Sequence, residues 1–236
     1  MEVVENGGMV GQRVTPEELL GPLGEVEKKH APKELYVAGD VTLLTKRARV
    51  SIVGSRKASP LGLKRAAKLA AMLVERGVVV VSGLAEGIDT AAHLAAIEHG
   101  GRTVAVLGTP LDECFPAENQ ALQDRIMREH LAVSQFAPGK RLGAKAFPMR
   151  NRTMALLSDA TVIVEAGEKS GTIHQGWEAL RLGRLLYIME SLVKEGHEWT
   201  SEMQRYGALV LSEATKDLFL ESIPEESRVE RTEATF

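Results

Sequence analysis

VSIVGSRKASPLGLKRAAKLAAMLVERGVVVVSGLAEGID, residues 50–89, contains one arrangement twice. Val50-Ser51-Ile52-Val53 is a short apolar run, rich in β-branched residues, that ends in the turn Gly54-Ser55. An amphipathic stretch over 61–76 follows. The run recurs at 78–81, the turn recurs as Ser82-Gly83, and a second helical period covers 86–99. Continuous apolar strands that alternate with helices predict a parallel sheet buried on both faces. Outward from this stretch, further apolar runs stand at 103–107, 161–164, 185–188 and 208–211, with a weaker one at 131–134. Helical periods at 118–129, 171–182 and 195–206 separate most of them. The expected fold is a doubly wound, mostly parallel α/β sheet of extended Rossmann-like type.

Upstream, Thr15-Pro16-Glu17-Glu18 reads as a helix start. Thr15 caps, Pro16 suits the first helical position, and Glu18 completes a capping box. One short helix to about Lys29 and a small strand over 35–37 are expected to follow. Residues 1 to about 14 are Gly-rich and acidic without a period, and are expected to be disordered. The division is therefore 1–40 as a disordered start with a short helical extension, 41–221 as the Rossmann domain, and 222–236 as a polar tail.

The chain has 236 residues, 44% hydrophobic and 26% charged, which is enough for one large α/β domain. Its formal net charge is -3, so affinity for nucleic acid would have to come from local clustering of Lys and Arg. Cys114 is the only cysteine, which rules out an internal disulfide or a multi-cysteine metal site and fits a reducing cytoplasm. No basic start followed by an apolar run marks a signal peptide, and no apolar stretch reaches membrane-spanning length.

Ligands of doubly wound sheets bind beyond the carboxyl ends of the strands. Four Gly/Ser/Thr-rich turns fall there: Gly54-Ser55-Arg56-Lys57, Ser82-Gly83, Gly108-Thr109-Pro110, and the segment ending Ser170-Gly171-Thr172. Any one of them serves tight packing equally well. Together they favour an anion site, because strand-to-helix turns aim backbone N–H groups and a helix dipole outward. Lys140 to Arg152, KRLGAKAFPMRNR, carries Lys140, Arg141, Lys145, Arg150 and Arg152 around Phe147, with no acid. Cations beside an aromatic ring are the components of a single-strand nucleic-acid site, although a solvated basic loop with Phe147 in the core has the same composition. Asp89 and His93 share a helix face and read first as a structural anchor, as does Glu165 at a strand end. No Walker A sequence, dinucleotide fingerprint, HExxH or GxSxG occurs, and no cofactor or metal is implied.

Read in order, ELYVAGDVTLL, IVGSRKASPLG, VVVSGLAEGIDTAAH, GGRTVAVLGTPLDECFPAEN, FPMRNRTMALLSDATVIVEAGEKSGT and LGRLLYIM resemble the DNA-processing protein A (DprA/Smf) family. The match covers about residues 34–190. The resemblance implies a non-enzymatic protein that binds single-stranded DNA, dimerises, and hands the strand to a RecA-type recombinase. It carries DNA contacts to Arg56, Phe147, Arg150 and Asn151, with Arg152 in the same motif and Lys145 as an offset counterpart of a family lysine. Residues 173–176, Ile-His-Gln-Gly, depart from the apolar residue and Thr-Ala pair usual in the family. The residues after the match are not expected to form the C-terminal winged helix usual in the family. The rival class is a phosphoribohydrolase of the LOG type, with Glu178 as an offset stand-in for its catalytic Glu, or a nucleotide-sensing relative of the same fold.

Overall fold

Residues 2–6, 9–140, 143 and 145–225 are described by the computed structural model. The chain opens with a hairpin, β1 (Glu2–Asn6) and β2 (Met9–Val14). Two short helices, α1 (Pro16–Leu20) and α2 (Glu25–His30), lead to β3 (Leu35–Gly39). Then come β4 (Arg49–Gly54), α3 (Pro60–Glu75), β5 (Val79–Ser82), α4 (Ile88–Glu98) and β6 (Thr103–Leu107). After these stand α5 (Gln120–Glu129), β7 (Leu131–Ser134), α6 (Ala146–Leu156), β8 (Ala160–Glu165) and α7 (Gly171–Arg181). The chain continues through β9 (Leu185–Met189), α8 (Glu190–Lys194), α9 (Glu198–Arg205), β10 (Leu209–Leu211) and α10 (Lys216–Ser222).

The ten strands of the described residues form one sheet, in the order β1-β2-β3-β7-β6-β5-β4-β8-β9-β10. The seven from β7 to β10 run parallel, and β3, β2 and β1 extend the β7 edge antiparallel. The expected doubly wound sheet is thus present. The chain steps outward from β4 through β7, then returns to lay β8 on the other side of β4. That reversal between β4 and β8 opens a crevice at their carboxyl ends.

Strand side chains alternate between two cores. Val53, Val81, Val104, Val106 and Ile163 pack against α1, α6, α7 and α9 through Leu19, Met154, Ile173 and Met203. Val50, Ile52, Val80, Val162 and Tyr187 pack on the other face against α3, α4 and α10. The buried stripe Ala66, Leu69, Ala70 and Leu73 explains α3, since spacings of three and four keep one face inward. Burying each such Leu contributes about 1.5–3 kcal/mol. Leu122, Ile126 and Met127 seat α5 over β6 and β7.

The expectations for the two ends of the chain need correction. Residues 2–6 and 9–14 form strands and not a disordered start, because β2 pairs antiparallel with β3 and β1 with β2. The Thr15 capping box forms, with the Glu18 amide donating to Thr15 Oγ1 at 3.2 Å, but the helix stops at Leu20. Gly21 at φ +69 followed by Pro22 breaks it, and α2 starts anew. Of the tail, residues 226–236 lie outside those described, while α10 extends into its first residue, Ser222.

His93 on α4 is fully buried, with Nδ1 2.7 Å from Thr103 Oγ1. The Thr103 hydroxyl donates to the Val80 carbonyl at 2.8 Å, so it accepts from His93 and fixes the Nδ1–H tautomer. Burial, then the nearby His130 and Arg150 charges, pull His93 down to about 3. Unfolded, it titrates near ~6.5. The unfolded chain therefore binds the proton first, and stability falls as pH drops from that value toward 3. Urea unfolding at pH 7 and 4.5 should show about 2–3 kcal/mol of acid loss that His93→Gln removes. Asp89, raised by burial, works in the opposite sense and is unaltered in the variant. Equal acid loss in both proteins would assign the effect to other groups.

Candidate functional site

At the carboxyl end of β4 the register with β8 shifts between Val53 and Gly54, a local irregularity that redirects the chain into the Ser55-Arg56 turn. The Ser55 amide donates to the Glu165 carbonyl at 2.7 Å, which fastens this turn to β8. Glu165 turns its carboxylate to the start of α3, accepting from the Ser59 amide at 2.9 Å and the Ser59 hydroxyl at 2.5 Å. Its role is the structural one favoured from sequence.

Beside this turn, α6 and the N-terminus of α7 enclose a cleft of about 450 Å³. Gly54, Ser55, Arg56, Phe147, Arg150, Asn151, Ser170, Gly171 and Thr172 all line it, so nine of the thirteen expected residues converge. Ser170 caps α7, its hydroxyl accepting from the Thr172 amide at 3.2 Å. Asn151 donates to the Gly171 carbonyl at 3.2 Å and ties α6 to that cap. The α7 N-terminus thus faces the cleft with its positive dipole end.

Arg56 is exposed and its Cζ stands 5.0 Å from the centroid of the Phe147 ring. The first turn and the FPMRNR segment, distant in sequence, therefore meet. Phe147 lies so close over Gly108 that a Cβ there would stand 2.7 Å from its ring, which places the third glycine turn beneath the aromatic. Phe115, 52% exposed, adds a second ring 5.6 Å from Phe147. Sequence reasoning missed Phe115. The usable signal was a second Phe-Pro step in a chain with few aromatics.

Lys57 lines the cleft as well. With Arg56 and Lys169 it makes three of the four lining cations, and none of these three is in an ion pair among the described residues, while the fourth, Arg150, faces Asp89. Of the two lining acids, Glu168 is drawn to His197 Nδ1 at 2.6 Å, and Asp89 is matched internally. The balance within the cleft is positive although the chain is acidic overall.

Arg150 is the floor. It is 5% exposed, donates to the Val106 carbonyl at 3.2 Å and lies 3.9 Å from Asp89 Oδ2. Asp89 accepts from the Gly83 and Ala85 amides at 3.1 and 3.4 Å. Burial raises the Asp89 carboxyl, with the Arg150 charge opposing, and the same burial lowers Arg150. Asp89 and His93 make no pair with one another. Each anchors its own part of α4.

Four expected residues lie elsewhere. Ser82 is fully buried and donates to the Ile52 carbonyl at 2.7 Å, because β5 extends one residue further than its apolar run. Gly83 is buried as the space through which Arg150 passes: a Cβ there would stand 1.3 Å from the guanidinium. Lys145 is exposed just before α6, outside the cleft lining. Arg152 sits on the opposite side of α6 and donates to Glu178 at 3.1 Å. Arg141 lies outside the described residues.

Fold and site together define a doubly wound α/β protein with a cationic, aromatic-lipped cleft at its switch point. The chain belongs to the DNA recombination-mediator protein A family, whose model matches residues 16–221. It is 41% identical over 166 residues to the DNA processing protein DprA of Streptococcus pneumoniae, covering 70% of this chain and 58% of that one. The crystal structure of that pneumococcal protein superposes with a TM-score of 0.73 at 35% identity, covering 82% of this chain and 68% of the other. DNA processing protein A from Helicobacter pylori, described for its single-stranded DNA binding mode, gives 0.74 at 27% identity, with 90% and 98% covered. The chain thus spans little more than half the length of the full pneumococcal relative.

Proposed function

We propose that this protein binds single-stranded DNA without catalysing a reaction on it, and delivers the strand as a homodimer to a RecA-type recombinase in the cytoplasm. The observation that carries the binding is the Arg56 guanidinium over Phe147 beside the glycine turn of β4. A phosphate meets the guanidinium and backbone amides, while an unstacked base meets the Phe147 and Phe115 rings. Delivery and dimerisation rest on the family resemblance, and the Helicobacter relative supports the choice of single strands.

The geometry favours binding over nucleotide hydrolysis. A LOG-type hydrolase needs a carboxylate facing the Gly171-Thr172 turn. Glu178 is instead buried among Arg152, His174 and Arg181, and Glu165 caps α3.

Fluorescence anisotropy with matched single-stranded and duplex oligonucleotides tests the reading. Strong preference for the single strand is expected, because a duplex keeps its bases away from the rings. About three phosphate contacts would give a salt slope near −2, hence about 20-fold weaker binding from 50 to 200 mM salt. Equal affinity for duplex, or no binding at low salt, overturns the proposal. So does release of free base from AMP by the wild type that Glu178→Ala or Glu165→Ala abolishes.

A further inference from the structure

Helix α6 has a cleft on each side. Phe147, Arg150, Asn151 and Met154 face the one already described. Met149 and Arg152 open onto a second, also about 450 Å³, completed by the chain from His30 to Tyr36 and by Gln135 and Lys140. Its cations come from three separate segments: Lys33 before β3, Lys140 after β7, and Arg152 on α6. Lys33 and Lys140 are exposed, and Arg152 is 45% exposed while its Nε reaches back to Glu178. The one lining carboxylate, Glu34, is occupied by Arg13 at 3.5 Å and accepts the Tyr36 hydroxyl at 2.9 Å. Met149, 45% exposed, supplies an apolar surface.

The ground behind this cleft is positive as well. Arg152, His174 and Arg181 share the single carboxylate of Glu178, and Arg181 also contacts His30 at 3.2 Å. Both histidines are held below their ordinary value, His30 by burial and then the Arg181 and Arg152 charges, His174 by burial and then the Arg152 and Arg181 charges. The two clefts are one helix width apart, about 10–12 Å. Three or four nucleotides cover that at the ~3.4 Å rise of a stacked strand. Exposed Lys145, which lines neither cleft, stands at the start of α6, where a strand passing from one to the other would cross.

We propose that the groove of Lys33, Lys140 and Arg152 is a second binding segment for the same single strand, holding phosphates of nucleotides that have crossed the N-terminus of α6. This rests on the single-strand reading and extends it. Nucleic acid suits the groove better than an acidic peptide because the groove continues, over one helix, a cleft that carries stacking rings.

The test compares oligothymidylates of about 4 and about 12 nucleotides, within the range of known single-strand sites. The short one fills the first cleft alone. Lys33→Gln/Lys140→Gln should weaken the long oligonucleotide about tenfold, lower its salt slope by about 1.4, and leave the short one within twofold. The thermal midpoint should not move, since both side chains are exposed. Arg56→Ala should weaken both lengths. Equal loss on both lengths in the double variant, no loss on the long one, or no gain of affinity with length in the wild type overturns the second segment while leaving the first cleft standing. Failure of the wild type to bind either length, or insensitivity of both to Arg56→Ala, instead overturns the single-strand reading. If a polyglutamate peptide binds in a Lys33- and Lys140-dependent way that the oligonucleotides do not, the groove belongs to a protein partner and the proposal falls.

Discussion

Arg150→Ala should lower the unfolding free energy by about 3–5 kcal/mol, the usual cost of leaving one member of a buried ion pair alone. The guanidinium is 5% exposed and serves both the Val106 carbonyl and Asp89. Removing it leaves the buried Asp89 carboxylate without its cation and opens a void under the Ser82-Gly83 turn. That loss is a large share of the roughly 5–15 kcal/mol that holds a typical domain together. The midpoint should fall by about 6–20 °C for a chain of this size. Arg150→Met/Asp89→Asn should recover part of it, because no charge is then stranded and the amide still accepts from the Gly83 backbone. Thermal and urea unfolding read the effect. An unchanged midpoint with lost oligonucleotide affinity would make Arg150 a strand contact, the role the family motif suggests, and not a support of the cleft floor.

Arg56→Ala should have the opposite signature, with oligonucleotide affinity falling about tenfold or more and the thermal midpoint unchanged. Arg56 is exposed and in no ion pair among the described residues. A charge-assisted hydrogen bond to phosphate is worth about 1.5–3 kcal/mol, and a factor of ten corresponds to about 1.4. The cation–π contact with Phe147 holds the guanidinium at the lip of the cleft, where its planar fork suits a bidentate grip on phosphate oxygens. Arg56→Lys should therefore restore only part, since an ammonium has no fork. Affinity and midpoint measured on the same preparations separate the outcomes. Unchanged affinity, or a collapse of stability, would remove Arg56 from the site.

The parallel sheet was legible because its strands are short apolar runs, several of them ending in glycine turns, and the runs at 103–107 and 131–134 coincide with β6 and β7. The N-terminal hairpin was not, because its strands lack a clear apolar period and gain their partner only through β3. Helix α6 escaped for another reason. Buried Thr153, Asn151 and Arg150 mix with Met154 and Ala155 on its surface, so it carries no amphipathic stripe, and Pro148 in its first turn resembles a loop signal. Reading residues 140–152 as a loop left the two sides of α6 undistinguished. That is why Arg152 was grouped with Phe147, and why the exposed Phe115 had no visible neighbour. Ser82 was read as a turn residue because the end of a strand is set by pairing with β6, which a local pattern does not contain.

The passage of Arg150 through the place of a Cβ at Gly83 has a consequence for descent. Residues 83, 89 and 150 lie on different elements, yet they can be inherited only as a unit. Any side chain at 83 displaces the guanidinium, a displaced guanidinium strands Asp89, and a neutral residue at 89 leaves Arg150 uncompensated. A lineage can leave this arrangement only by changing at least two of the three together. Among descendants that do, the floor of the cleft should have been rebuilt as a whole, and with it the surface on which the ligand rests.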